Sequence, residues 1–429
     1  MNDARAPVTG VVVDAAAALG PPPWNDACIA QHIAPLFSRH RAAFTGRIYL
    51  ANHSLGRPLD CTVDDVVEGI EAWYLAMGEG WDAWEAEAHA HRSRLATLLG
   101  ATRVDAVIPK TSAGQGLRAV LGTFDRPPRV VTTRGEFDSL DVILREWARR
   151  GRLELVHVEA RPAVPGARDE RRLPHHVAAD LVEAITPGTE LVVVSEVMFQ
   201  TGERLDGLPA LVAHAHACEA KVLIDVYHSL GVLPVDVTDL DADFVVGGSY
   251  KYLRGGPGAC FLYVAPRWLD AGLRTLDTGW FAKDRRFDYA RPEPPAFAAG
   301  GDGWLESTPA VLAPFQARAG QELVLSLGVA ALRADSLARQ RRLVAALEAH
   351  GVFALGGTES RGAFVVVPVD GPQDAAVRAV EALATRGIVA DVRGAFLRLC
   401  PDPLTSAAEI DRTAVAVGDA MGELGGGRT

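Results

Sequence analysis

The residues of this chain best placed to do chemistry are one aspartate and one lysine. The apolar run Val222 to Ile224 ends on a single acid, Asp225, and His228 follows three residues later. A second apolar run, Phe244 to Val246, leads into Gly247-Gly248-Ser249-Tyr250-Lys251, with Gly255-Gly256-Pro257-Gly258 close behind. Each charge therefore sits where a buried strand is expected to stop, and in an open α/β sheet ligands bind at the carboxyl ends of strands. A lysine there can be a nucleophile for a carbonyl, an ion-pair partner or an exposed residue. The surrounding glycines, which let a backbone approach a ligand closely, favour the first.

Asp225 sharpens the choice. A buried carboxylate needs a cationic partner, and no Lys or Arg follows it before Lys251 itself. A pyridinium nitrogen is such a partner. Pyridoxal phosphate chemistry calls for a lysine to form a Schiff base, an acid to keep the ring nitrogen protonated, and backbone N–H groups at a helix start to cradle phosphate. Thr111-Ser112-Ala113-Gly114-Gln115, between a strand pattern and a helix pattern, supplies the last.

The elements that must position these groups alternate along the chain. Strands are expected at Val104 to Ile108, Arg129 to Thr132, Leu153 to Val158, Leu191 to Ser195, Val222 to Asp225 and Phe244 to Val246. Helices over Ser139 to Arg150, His175 to Ile185 and Gly207 to Cys218 fill the intervals. That rhythm predicts a doubly wound, mostly parallel sheet covered on both faces. Ala259 to Val264, following a Gly/Pro turn directly, reads as an antiparallel return in a mixed sheet. Upstream, Trp24 to Arg41, Val63 to Met77 and Asp82 to Leu99 have helical periodicity. Beyond the Pro/Gly-rich interval 291–303 come helices at Ala310 to Ala334 and Ser336 to His350. Strands at Phe353 to Leu355, Ala363 to Val367, Ile388 to Val392 and Phe396 to Cys400, with helices at Gln373 to Thr385 and Ala407 to Leu424, make a smaller α+β lobe. The expected organisation is an arm over 1–60 packing with the small domain, a large α/β domain over 61–305 and a small domain over 306–429.

With 429 residues the chain exceeds the size of a single growing core. Its net charge of −11 disfavours nucleic acid, and no stretch is apolar enough to span a membrane. Val8 to Leu19 carries Asp14 and ends in three prolines, so it reads as a loose arm and not an export signal, which points to the cytoplasm. Five scattered cysteines without C-x-x-C spacing argue against a disulfide framework and a structural zinc site, and His214 and His216 lie two apart on a helix, so no metal is expected. The tail 425–429 reads as unstructured.

The run from Asp225 through His228, Gly231, Pro234 and Asp236, then Tyr250-Lys251 and its glycines, resembles the fold-type I pyridoxal phosphate enzymes of the class V aminotransferase group, and within it kynureninase. Tyr49-Leu50 with Ser54-Leu55-Gly56, Thr201-Gly202, Gly279-Trp280-Phe281 and Arg398 to Leu404 are similar to further kynureninase motifs. The resemblance implies a seven-stranded-type mixed sheet with a smaller C-terminal domain, and Lys251 as the Schiff-base lysine. It implies that Asp225 pairs with the ring nitrogen, His228 lies beside the cofactor and Tyr250 bonds the phosphate and acts as a general acid. Ser112, Ala113 and Ser195 would complete the cofactor contacts, Phe137 would stack on the ring, and Arg398 with Ser54 would bind the substrate, Arg398 at its α-carboxylate. Trp280 and Thr308 would reach the phosphate from the other subunit of a homodimer.

Three segments depart from the kynureninase pattern. Phe137-Asp138-Ser139-Leu140 stands for Phe-Pro-Thr-Asp, Ala51-Asn52-His53-Ser54 for Asp-Gly-Asn-Ser, and Gln200 for the Arg before Thr201-Gly202. The leading expectation is hydrolytic Cβ–Cγ cleavage of an L-amino acid, kynurenine yielding anthranilate and alanine. A class V aminotransferase, epimerase or β-lyase acting on another amino acid is the alternative, and a non-catalytic binding protein on the same fold the third.

Overall fold

The protein is described from a computed structural model covering residues 8–426. Twelve strands carry the architecture: β1 Ile48–Tyr49, β2 Val107–Lys110, β3 Arg129–Thr133, β4 Glu154–Val158, β5 Leu191–Ser195, β6 Lys221–Asp225, β7 Phe244–Gly248, β8 Cys260–Val264, β9 Val365–Pro368, β10 Ile388–Val389, β11 Asp391–Arg393 and β12 Phe396–Leu399. Seven of them form the large sheet in the order β2-β8-β7-β6-β5-β3-β4. All its pairings are parallel except the two made by β8, which returns antiparallel to β7 and β2 as the turn after Lys251 foretells. Strands β5, β7 and β8 are buried along their whole length, and β6 from Val222 on, because helices cover both faces, hence their near-continuous apolar residues. The register sets Ser195 beside Asp225 and Asp225 beside Val246, so the carboxyl ends of β5, β6 and β7 form one ledge.

The second sheet, β11-β12-β9, is antiparallel, and β1 pairs with β10 next to it. The arm is therefore tied to this part by Ile48 and Leu50, which share a cluster with Val365, Leu397 and Leu399. Its earlier residues do otherwise: Val12, Trp24, Ile33 and Phe37 pack into the core of the large sheet. Leu323 and Val324 join that same core while Leu343 and Leu347 join the small one, so we propose that the small unit begins within the helix Val329–Ala349, later than 306.

Several local expectations are corrected. Val8–Ala17 is a helix with Val12 buried, not a loose arm. Trp24 to Arg41 is not one α-helix. Pro35 has no N–H to close an α-turn, and the backbone passes through a π turn at Ile29–Ile33 and a 3-10 turn at Ala34–Phe37. The long C-terminal helices divide at Gly328, which takes a left-handed φ of 79°, and not at Asp335. Asp335 is held inside its helix by Arg339 Nε at 2.7 Å and by the Trp24 N–H at 3.1 Å. Phe353 to Leu355 makes a single bridge, Leu355 to Val366, in place of a strand. Ile388 to Val392 splits because its first half pairs with β1 and its second with β12. The last helix, Ala407–Gly426, takes in the start of the tail; residues 427–429 lie outside the described residues.

Candidate active site

Asp225 ends β6, the chain turns through Tyr227 and His228, and β7 delivers Lys251 onto the same ledge three residues past Gly248. All three side chains are buried. The Lys251 Nζ lies 2.7 Å from His228 Nε2. Asp225 Oδ1 accepts the Tyr227 N–H at 2.8 Å, and among the described residues no cation lies within ion-pair distance of its carboxylate. The N-terminal segment roofs this loop. Gly56 donates its N–H to the Tyr250 carbonyl at 2.7 Å, and a Cβ there would fall 2.0 Å from the Lys251 carbonyl oxygen, which explains the glycine of Ser54-Leu55-Gly56.

Burial dominates the electrostatics. It pushes the Asp225 carboxyl up, only partly opposed by the Tyr227 N–H and the Lys251 charge. It pushes the Lys251 amine down, with Arg398 and Arg393 adding to the fall and Asp225 opposing it. His228 is driven well below its ordinary value by burial and by Lys251, so its ring is neutral. An amine in this state is a nucleophile near neutral pH.

The other expected residues divide into groups. Phe137 lies beside the amine, its ring centroid 5.6 Å from Lys251 Nζ. The Tyr250 ring is 5.7 Å from the same atom, and burial raises its phenol so that it keeps its proton. Ser112 caps the helix Ala113–Leu121, its Oγ accepting the Gln115 N–H at 3.1 Å, which leaves the first N–H groups of that helix as the donor set for an anion. Ser195 is on the ledge, but its hydroxyl donates to Glu136 Oε2 at 2.6 Å. Ser54 and Arg398 both bind Asp391: Arg398 Nε at 2.7 Å and Nη2 at 2.6 Å form a bidentate pair, and the Ser54 hydroxyl donates to the same carboxylate. Trp280 and Thr308 bond each other at 3.2 Å within an aromatic wall formed with Trp81, Phe281 and Phe287. Thr308 shares with Thr111 and Gln115 the lining of a cavity of about 360 Å³.

Three participants escaped the sequence reading. Glu136 is buried beside Asp225 and held by Ser195 and Thr133; burial pushes its carboxyl up to about 7. Asp391 faces Arg398 across the β11–β12 pair, a register readable only once Gly394-Ala395 is taken as the turn between them. His53 donates to Asp391 from Nε2 at 3.1 Å, and burial lowers its ring to about 4.

A buried carboxylate without an ion-pair partner among the described residues, a buried amine held below its ordinary value 5.6 Å from a flanking aromatic centroid, and a capped helix start fit pyridoxal 5'-phosphate. Solved structures share the fold. A cystine C-S lyase, C-DES, carrying glycine linked to its pyridoxal phosphate, matches with a TM-score of 0.76 at 20% identity over 89% of this chain and 99% of that one. A cysteine desulfurase from Thermococcus onnurineus NA1 matches with a TM-score of 0.71 at 19% identity over 88% and 95%. The shared fold is fold type I, and the family to which the chain belongs makes it a pyridoxal phosphate-dependent enzyme. The chain belongs to the aminotransferase class-V family, whose profile matches residues 79–407. Among its relatives, kynureninase of Salinispora tropica is 30% identical over 83% of this chain and 86% of that protein, and kynureninase of Pseudomonas fluorescens 28% over 81% and 82%.

Proposed function

We propose that this enzyme is a kynureninase-type hydrolase that cleaves the Cβ–Cγ bond of an L-amino acid bearing a γ-carbonyl, converting kynurenine to anthranilate and alanine. The observation that carries the reaction type is the likeness to kynureninases over more than four-fifths of both chains. The site supports it. Bound pyridoxal phosphate supplies an electron sink for charge developing at Cα. Asp225, with no ion-pair partner among the described residues, would keep a ring nitrogen protonated, and Phe137 would lie against the ring. The Ser112–Ala113 helix start would hold the phosphate. Lys251, whose amine burial holds below its ordinary value, would be the residue that holds the cofactor and would move the Cα proton of the substrate. His228 fixes the Lys251 amine through its neutral Nε2, Tyr250 keeps a proton to donate, and Arg398 holds the α-carboxylate. Trp280 and Thr308, which bond each other and not the Lys251 group, are assigned to the neighbouring site of a homodimer. The test is release of anthranilate from L-kynurenine or 3-hydroxykynurenine by the purified enzyme supplied with cofactor; none released refutes the reaction.

A second reading keeps the cofactor and changes the reaction to transamination, epimerisation or β-elimination. It is favoured by Leu140, which stands where the kynureninase motif has an acid and is wholly buried, while Asp138 is exposed and Asp141 engages Arg145 at 2.7 Å. Neither Asp138 nor Asp141 takes over that place. Turnover of another amino acid with no anthranilate from kynurenine would establish this reading.

A further inference from the structure

Asp391 collects more donors than an ion pair needs. Its carboxylate accepts Arg398 Nε and Nη2, the Ser54 hydroxyl and the His53 Nε2–H, while Arg393 stands off at 3.6 Å. Three of these donors have fixed origins: Arg398 is opposite Asp391 in the hairpin, and His53 and Ser54 belong to the turn that precedes Gly56 over the Lys251 loop. Burial alone would raise the Asp391 carboxyl, yet His53 and Arg398 hold it far below the usual carboxylate range, so it is charged. His53, being neutral, adds a hydrogen bond without adding a charge.

The guanidinium is thereby locked. Of the five N–H donors of an arginine, Asp391 takes two and the Phe199 carbonyl a third, from Nη1. One N–H remains on each terminal nitrogen, the number a carboxylate accepts in a bidentate pair. Phe364 backs the group, its centroid 5.5 Å from Arg398 Cζ and 4.8 Å from the His53 ring. Arg393, the rival for a carboxylate, has a half-exposed side chain and no such frame.

We propose that Asp391 is a positioning residue for substrate recognition: seated by His53 and Ser54, it grips Arg398 from one side and presents the remaining N–H pair to the α-carboxylate of the amino acid. The inference rests on reading Arg398 as the carboxylate-binding residue and is independent of which bond the enzyme breaks. A guanidinium already immobilised loses little freedom when the ligand arrives, so the frame contributes to affinity for the carboxylate and not for the rest of the ligand.

The experiment titrates the holoenzyme with L-alanine and with L-alaninamide, which lacks the carboxylate, following the cofactor's absorbance. The wild-type enzyme is expected to prefer alanine, and Asp391→Asn to lose about ten-fold or more of that preference while its affinity for the amide stays within about two-fold. Arg398→Lys should lose as much, and the double variant no more than either alone. His53→Ala should lose less, in the same direction. An Asp391→Asn enzyme that keeps the wild-type preference while Arg398→Lys abolishes it overturns the proposal, because Asp391 would then only brace the hairpin. Should Asp391→Asn fail to fold, Asp391→Glu decides: it keeps the charge but displaces the guanidinium, and an unchanged preference in that variant overturns the proposal equally. A wild-type enzyme with no preference for alanine removes the role of Arg398 and this inference with it. An enzyme that prefers alanine yet releases no anthranilate supports the role of Arg398 and refutes only the reaction proposed above.

Discussion

Two buried aspartates, at opposite ends of adjacent strands, show how this molecule separates holding the fold from doing chemistry. Asp243, just before β7, accepts hydrogen bonds from His216 Nε2 at 2.9 Å, the Val222 N–H at 2.7 Å, Trp268 Nε1 at 2.6 Å and two nitrogens of Arg267 at 3.1 and 2.5 Å. Asp225, at the end of β6, receives one backbone N–H and, among the described residues, no cation within ion-pair distance. Both are removed from water, so both incur the desolvation cost of a charge, but only Asp243 has it repaid inside the protein. The lack at Asp225 is what a ligand can supply.

The sharpest way to break this contrast is at the amine on the same ledge. Lys251→Ala should lower turnover by roughly a thousand-fold or more, the scale on which removing an essential nucleophile acts, while thermal unfolding of the apoprotein shows no loss of stability. A large drop in Tm would mean that Lys251 is structural. Next, Asp243→Ala should cost about 1–3 kcal/mol in denaturant unfolding, because the buried Val222 N–H loses its acceptor and Trp268 Nε1 and His216 Nε2 lose theirs, while the exposed Arg267 keeps Asp241. Turnover per folded molecule should not change. Asp225→Ala should do the reverse: weaken cofactor binding in equilibrium dialysis and stabilise the apoprotein by about 1–3 kcal/mol, since a desolvated charge with no partner is removed. Equal destabilisation by the two alanine variants would erase the distinction.

The smallest effect concerns Glu136, also on the ledge and also without a cation. Its folded value near 7 lies above that of an exposed glutamate. The folded protein therefore binds more protons than the unfolded chain between about pH 4.5 and pH 7, and the wild type loses stability as pH rises through that window. Glu136→Gln removes the loss. It should gain about 1–3 kcal/mol relative to wild type at pH 8 and little at pH 5, measured as the difference in unfolding free energy at the two values. A gain independent of pH would show that Glu136 is not titrating.

How much of this was legible without coordinates depends on the range of the interaction. The β-strand and helix alternation, the antiparallel β8 and the ledge carrying Asp225, His228 and Lys251 follow from local patterns: apolar runs ending in charges and glycines that allow close backbone approach. The misjudged elements were those in which a distant partner overrides local preference. Asp335 reads as a helix break until Trp24 and Arg339 are seen to hold it, and Val8 to Leu19 reads as a loose arm until Val12 is seen in the core. Glu136 escaped for the same reason, since what singles it out is the proximity of Ser195, a residue on a different strand.

The sequence alone determined the sheet, its covering helices and the candidate cofactor pair, because each depends on periodicity or on residues within one strand-turn segment. It pointed to Arg398 and Ser54 but not to what joins them. That was decided by tertiary structure: the β11–β12 hairpin and the turn before Gly56 bring Asp391, Arg398, His53 and Ser54 to one carboxylate from stretches more than 330 residues apart. The strength of a buried charge depends on its neighbours in space, which no spacing along the chain specifies.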